Sequence, residues 1–324
     1  MKKILVTGAG GFIGGHLVKE LLHKGYSVRA ADIKPFEEWY QIFNNVENHQ
    51  LDMALKENCF KMTSGTSEVM NMACNMGGMG FIEDNKAECM LSVLVNTHML
   101  MACKENKVKK YFFSSSACAY NKDLQDKPNI SGLKESDAHP GNPEDGYGWE
   151  KLFSERMCRH FLEDYNLDVK VARYHNIYGP NGTYDGGREK APAALCRKMI
   201  HSILNNEDII DVWGDGKQTR SFLYIDDCID ATLQLFDSNF HGPINIGSEE
   251  KVSINEMIDK IELISKKKVK RNYQLDKPKG VRGRNSDNTL IRDQLNWEPK
   301  YTLYKGLEET YNWIYSEIKK KHNQ

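Results

Sequence analysis

Apolar residues fall into two rhythms along this chain, and their alternation predicts the architecture. Lys3–Thr7 is a short apolar run of strand length, followed by Gly8-Ala-Gly-Gly11-Phe12-Ile13-Gly14 and then by Leu17, Val18, Leu21 and Leu22 on one helix face. A second strand covers residues 27–31 and ends at Asp32, Leu51-Asp52 closes a third, and residues 69–73 form a fourth. Residues 87–106 read as one long helix, and the aromatic run Tyr111-Phe-Phe113 opens a central strand. A helix at 147–165 and a strand at 169–174 complete the series. Strands alternating with helices predict an α/β fold with a parallel sheet.

The rhythm is less regular afterwards. Residues 192–205 are helical, residues 210–213 and 220–225 read as a hairpin or two strands around Gly214-Asp-Gly216, and 226–236 is a helix returning to the first lobe. Residues 243–247 open the last section, Ser253-Ile-Asn-Glu256 has the form of a helix cap, and 307–318 is a closing amphipathic helix. Segments 122–143 and 175–187, rich in Pro, Gly, Asn and Asp, read as surface excursion and loop. The expected division is a nucleotide-binding domain at 1–174 with a return segment at about 212–240, and a substrate domain at 175–211 and 241–324.

Composition narrows the class. A chain of 324 residues can bury two lobes, and a net charge of -1 gives no general attraction to nucleic acid or anionic lipid. The basic stretch from Lys266 to Arg271 and the run Lys319-Lys-Lys-His322 read as solvated helix ends. No apolar run has bilayer length, and the few strand-like residues before the first glycines do not form a signal peptide. Eight cysteines without a Cys-x-x-Cys pair argue against a metal site and for reduced thiols. The expectation is a cytoplasmic enzyme with no nucleic-acid or membrane partner.

The glycine turn between strand and helix suits a pyrophosphate, because the backbone approaches closely and the helix N-terminus faces the charge. Asp32 accepts from a ribose diol and repels a 2′-phosphate, favouring NAD over NADP. Asp52 is placed either to meet the adenine or as an exposed loop carboxylate. Ser114 to Tyr120 delivers Ser116 and Cys118 to the carboxyl edge of the sheet, and Tyr147 lies one helical turn from Lys151. A phenol titrates near 10, so making it a base at neutral pH takes about 4 kcal/mol, which an ammonium and an oxidised nicotinamide can supply. Ser116 would hold the substrate oxygen. Cys118, two residues beyond it, is a candidate base; the other seven cysteines read as small buried hydrophobes. The loop from Cys74 to Phe81, with Gly77, Gly78 and Gly80, reads as a pliable cover for substrate.

On Gly8-x-x-Gly11-x-x-Gly14, Asp32, Asn71, Ser116 and Tyr147-x-x-x-Lys151 the chain resembles the extended short-chain dehydrogenase/reductase family. That likeness implies a Rossmann doubly wound parallel sheet with a smaller C-terminal α/β substrate lobe, NAD held by the residues from Gly8 to Gly14 together with Asp32, Asp52, Tyr147 and Lys151, and a homodimer formed through helices. Met76-Gly-Gly-Met-Gly-Phe81, Tyr174-His-Asn-Ile-Tyr-Gly-Pro180, Gly186-Gly-Arg-Glu-Lys-Ala-Pro192, Gln218-Thr-Arg-Ser-Phe222 and Gly280-Val-Arg-Gly-Arg284 bring the likeness nearer to family members acting on a GDP-mannose-type nucleotide sugar. It implies that Tyr147 serves a 4-hydroxyl, that Cys118 and Lys190 act as base and acid on opposite ring faces, and that Gly77, Asn176 and Gln218 line the substrate. Arg220, Arg282 and Arg284 are candidates for the diphosphate, where forked guanidinium donors fit. The chain departs from the pattern at Cys74-Asn75, where Ala-Asp is expected, and at Ala119 and Asn121 beside Tyr120. An NADPH-consuming epimerase/reductase, an NAD-binding redox sensor and a scaffold using the 266–271 patch remain as other readings.

Overall fold

The computed structural model describes residues 2–278 and 280–322. Its first half runs β1 (Lys3–Thr7), α1 (Phe12–His23), β2 (Ser27–Asp32), β3 (Glu47–Gln50), α2 (Lys56–Thr63), β4 (Glu68–Asn71), α3 (Met79–Asp84), α4 (Lys86–Leu91), α5 (Val93–Glu105), β5 (Lys110–Ser116), α6 (Asp145–Tyr165) and β6 (Asp168–Tyr174). The second half runs β7 (Ile177–Tyr178), α7 (Ala191–Leu204), β8 (Ile209–Trp213), β9 (Thr219–Ser221), β10 (Leu223–Tyr224), α8 (Ile225–Asp237), β11 (Pro243–Ile246), β12 (Lys251–Ser253), α9 (Ile254–Ser265), β13 (Lys270–Gln274), β14 (Gly283–Arg284), α10 (Thr289–Leu295) and α11 (Leu303–His322).

Seven parallel strands form the main sheet in the order β11-β6-β5-β4-β1-β2-β3. Its central strands β1, β4 and β5 carry apolar residues on both faces, as a sheet covered on both sides must, whereas the edge strand β3 is polar. Ile4, Val6, Met70 and Phe112 face one core with Leu17 and Leu21 of α1 and Leu233 of α8. Their neighbours Leu5, Val69, Tyr111 and Phe113 face the other, with Cys59 of α2, Met99 of α5 and Cys158 of α6. Strand order reverses between β1 and β4, and the crevice at their carboxyl ends is where such sheets bind ligands. The smaller lobe holds the sheet β12-β9-β14 and the pair β13-β8, with α7, α9 and α11 packed on the first core through Met199, Ile258 and Ile314.

Buried charge fastens α6 to the sheet. Arg173 on β6 donates through Nε and Nη2 to Glu155 of α6 at 2.9 and 2.7 Å, and Ser115 at the end of β5 donates to the same carboxylate. That brace sets the first turns of α6 over the end of β5.

Four expectations are revised. At 210–225 the hairpin falls and the alternative of separate strands stands: β8 pairs in parallel with β13, whereas β9 pairs with β12 and β14. Each strand finds a longer-range partner that the local turn could not announce. The helix expected at 87–106 breaks at Ser92, whose Oγ accepts from Asn75 N at 2.9 Å. The boundary at 241 moves, because β11 joins the main sheet beside β6; its buried Ile244 and Ile246 belong to the first core. Segment 122–143 is more than a surface excursion. Gln125 and Leu133 are buried, and Leu133 N donates to Asn285 O of the second lobe at 2.9 Å. The cap at Ser253 is present, with Ser253 Oγ accepting from Glu256 N and Glu256 returning the bond to Ser253 N.

Candidate active site

The turn after β1 is built for close approach. Gly8 adopts φ +67°, and a Cβ there would lie 2.8 Å from the carbonyl carbon of Met72; one at Gly14 would lie 2.1 Å from Gly8 O. Helix α1 then begins after Gly11 with no side chain capping it and no acid in its first turn. The N–H groups around Phe12 and Ile13 therefore meet no side-chain acceptor, and the helix dipole favours an anion there. Asp32 lies at the end of β2 beside this turn, accepting from Gly10 N and Lys34 N at 3.0 Å each. Each of its oxygens retains a lone pair for a ribose hydroxyl. Asp52 follows β3 and accepts from Ala54 N at 2.8 Å. These residues fit a dinucleotide.

Across the crevice the proton-transfer groups converge. Ser116 ends β5, and its Oγ accepts from Cys118 N at 3.2 Å, fixing the 3₁₀ turn Ala117–Ala119 that carries the thiol. Gly148 lets α6 approach, since a Cβ there would lie 2.3 Å from Cys118 O. This contact brings Tyr147 against the turn. The Tyr147 phenol, 5% exposed, is held well above the usual tyrosine range: burial is the main cause, with Cys74, Cys118 and Glu150 adding to it and Ser116 opposing. The protein by itself thus does not lower the phenol; the expected lowering draws on an oxidised nicotinamide as well as the ammonium. Lys151 Nζ sits 4.8 Å from the Phe113 ring centroid and 3.3 Å from Glu150 Oε2. Burial works against its charge, but Cys74 and Glu150 outweigh burial and raise its pKa.

Lys190 caps the N-terminus of α7 and is half-buried. Burial lowers its pKa, with Cys118 and Cys74 pulling the other way, so it lies within electrostatic reach of both thiols. Arg284, 3% exposed, is the innermost of the three candidate guanidiniums: Nη1 donates to Cys118 Sγ at 3.3 Å, Nε to Gln125 Oε1 at 2.6 Å and Nη2 to Glu144 Oε2 at 3.0 Å. Arg220 lies opposite it in the β9–β14 register and donates to Thr219 O and Val281 O. Burial pulls Arg220 down to about 10, with Arg284 next in effect. Two guanidiniums side by side repel, so a polyanion between the lobes would relieve both. Arg282 is turned outward into a two-pronged pair with Asp215 at 3.1 Å. Asn176 adopts φ +46° and donates to Ser221 O at 3.0 Å. Gln218 donates to Trp213 O at 3.0 Å, and its buried Oε1 has no hydrogen-bond partner among the described residues, an acceptor suited to a ligand hydroxyl or N–H. Gly77 lies in the covering loop, where a Cβ would strike Phe81.

Three site residues were invisible as such in the sequence. Cys74, grouped there with inert thiols, packs in the cluster of Tyr147 and Cys118 and lies within electrostatic reach of Lys151. Burial raises its own pKa, against the pull of Lys151. Glu144 and Gln125 steer Arg284 from loops with no motif around them. Their only signal is polarity at positions that prove half-buried or buried.

Fold and site together define a nucleotide-binding α/β enzyme in which Tyr147, Lys151 and Cys118 pack at the carboxyl edge of the sheet. Residues 4–247 match the NAD dependent epimerase/dehydratase family. GDP-mannose 3,5-epimerase of Arabidopsis thaliana is 45% identical over 320 residues, covering 98% of this chain and 84% of that one. GDP-mannose 3,5-epimerase 1 of Oryza sativa subsp. japonica is 46% identical over 323 residues, covering 99% and 84%. GDP-L-fucose synthase 1 of Arabidopsis thaliana reaches only 25% over 322 residues, covering 98% and 94%. The fold is that of UDP-glucuronic acid 4-epimerase from Bacillus cereus, solved with UDP-glucuronic acid and NAD: TM-score 0.82, 26% identity, 97% of this chain and 99% of that one. The chain belongs to the NAD dependent epimerase/dehydratase family, and within it to the GDP-mannose 3,5-epimerase group.

Proposed function

We propose that this protein converts GDP-α-D-mannose to GDP-L-galactose, with GDP-L-gulose as the product of inversion at a single carbon. The observation that carries the reading is that two proton-transfer pairs share one crevice: Tyr147 packs with Cys118 and has Lys151 Nζ 5.4 Å from its ring centroid, and Lys190 lies within electrostatic reach of Cys118. A simple 4-epimerase has no use for the second pair. NAD, when bound, supplies the hydride acceptor and donor that makes carbon 4 of the sugar a carbonyl and an alcohol again. Gly8, Gly11, Phe12, Ile13 and Gly14 would hold its diphosphate and Asp32 its ribose, with Asp52, Tyr147 and Lys151 completing the site.

Tyr147 holds and moves the proton of the 4-hydroxyl, and Ser116 orients the same oxygen. The raised Tyr147 pKa means that the chain alone keeps the phenol protonated; a positive ring beside it is what would ready it as a base. A carbonyl at carbon 4 acidifies the hydrogens on carbons 5 and 3. Cys118 Sγ takes such a proton, held in place by Arg284 Nη1, and Lys190 gives one to the opposite face. Arg284 and Arg220 form the cationic floor that suits a diphosphate, and Gln218 and Asn176 lie along the same strip.

Proton NMR of GDP-mannose incubated with the protein in deuterated water tests this reading. Deuterium at carbons 5 and 3 without net NAD reduction is the expected result. Turnover with label at neither carbon would remove it, and net consumption of NADPH would point to an epimerase/reductase instead.

The assembly we infer is a homodimer. Met90, Leu91, Leu94 and Met101 on α4 and α5, and Trp149 and Phe153 on α6, are each more than a third exposed on adjoining helices. Apolar groups gathered this way mark a contact surface, and a second copy presenting the same helices would cover them. Cys118 can act as a base only when reduced, in keeping with a reducing, cytoplasmic setting.

A further inference from the structure

Two loops cover the crevice, and one side chain joins them. The loop after β4 runs from Cys74 to the start of α3, and the loop before α7 contains Gly186, Gly187, Arg188 and Glu189 and delivers Lys190. Gly186 and Gly187 adopt φ +87° and +85°, and a Cβ at either would meet nothing within 4 Å among the described residues. The approach to Lys190 is therefore a pair of open, left-handed glycines with no side-chain packing of their own, tied only through their amides to Asp185 and Glu189.

What holds the end of that approach is Arg188. Its guanidinium lies 3.8 Å over the Phe81 ring, and Nη1 donates to Asn75 Oδ1 at 3.1 Å and to Met76 O at 3.4 Å. Its own carbonyl accepts from Gly78 N at 3.0 Å. The fit is close: a Cβ on Gly78 would come within 2.5 Å of Glu189 O. On the far side, Glu189 accepts from Gly187 N and from Arg197 Nη2, both at 2.7 Å. Lys190 thus leaves a segment pinned on one side to α7 and on the other to the loop that carries Cys74.

We propose that Arg188 is a positioning residue for inversion: by clamping the two covering loops together it sets Lys190 on the ring face opposite Cys118. A planar guanidinium can stack on an aromatic ring and bond two carbonyl-type oxygens at once, a combination an ammonium does not reproduce. The residue touches no reacting atom and acts through Lys190. The inference rests on the reading of Cys118 and Lys190 as base and acid, and it predicts a particular defect. With the clamp gone, Cys118 still takes a proton from carbon 5 or 3, but the mispositioned Lys190 no longer supplies one to the other face. The sulfur, having exchanged its proton with solvent, returns a deuteron to the face it came from, and the sugar leaves labelled without being inverted.

The test compares wild type, Arg188→Ala and Phe81→Leu on GDP-mannose in deuterated water. It follows inverted product and deuterium in recovered GDP-mannose separately. In both variants inversion should fall on the order of ten- to a hundredfold, the scale of misplacing a catalytic group by about an ångström, while label in recovered GDP-mannose holds or rises. Arg188→Lys should behave like the alanine variant. In the protein without substrate, hydrogen exchange at the Gly78 amide should quicken in Arg188→Ala, with the main-sheet amides unchanged. A proportional fall of label and inversion, or no change in either, overturns the clamp, as does an unaltered Gly78 amide. Wild-type protein that labels neither carbon would sink the reaction assignment itself, a result distinct from failure of the clamp.

Discussion

Arg284 illustrates how much of a side chain's role comes from its surroundings. As a loop arginine in a polar stretch it reads only as a phosphate ligand; in the structure it is also buried with one nitrogen on Cys118 Sγ and another on Glu144. Burial works against its charge, but Cys118 and Glu144 more than compensate and raise its pKa, so the cation persists beside the sulfur. Cys118→Ala should therefore abolish deuterium exchange at carbons 5 and 3 while calorimetry finds nucleotide-sugar binding largely unchanged; intact exchange would clear the thiol of a role. Lys190 makes a second prediction. It is an acid only while protonated, and burial lowers its pKa, so the proton is lost at a lower pH than for an exposed lysine. The alkaline limb of kcat should accordingly begin below the usual lysine value of about 10.4. A profile flat through that value would count against Lys190 as the acid.

At the scale of elements, the decisive piece is α6. Its placement rests on the buried brace of Arg173, Glu155 and Ser115 and on the close approach at Gly148. Removing one partner leaves the other charge buried and unpaired, which costs about 3–5 kcal/mol, whereas replacing both by apolar residues costs far less. Glu155→Ala should lower the unfolding free energy obtained from denaturant titration by that amount, and the pair Arg173→Met with Glu155→Leu should recover most of it. If the single variant lost under 1 kcal/mol, the brace would be no stronger than a surface ion pair. The helix itself was legible, since Tyr147 and Lys151 stand one turn apart. Its brace was not, because Glu155 and Arg173 carry no local pattern and meet only when α6 packs across β5 and β6.

For the whole molecule the open question is the covering of α4, α5 and α6. Phe153→Asp on the outer face of α6 should give a monomer by light scattering, where wild type runs as a dimer, with helix content unchanged by circular dichroism. A wild-type monomer at micromolar concentration would end that inference. The same scale explains the displaced boundary at 241. Residues 241–246 look like the start of a new section in the sequence, yet β11 closes the edge of the main sheet beside β6.

The order of hydrophobic and polar residues was enough to specify the parallel sheet, the glycine turn, the acid at Asp32 and the positions of Ser116, Cys118, Tyr147 and Lys151, because strand and helix periods and tight turns are local properties of the chain. Folding decided that Cys74 packs with Tyr147 and Cys118, that Arg284 rests on Cys118, that Arg188 spans two loops, and that β8 and β9 part company to join different partners. Those contacts lie between segments dozens to well over a hundred residues apart. Their worth comes from burial and from shared hydrogen bonds, neither of which exists until distant parts of the chain are brought together.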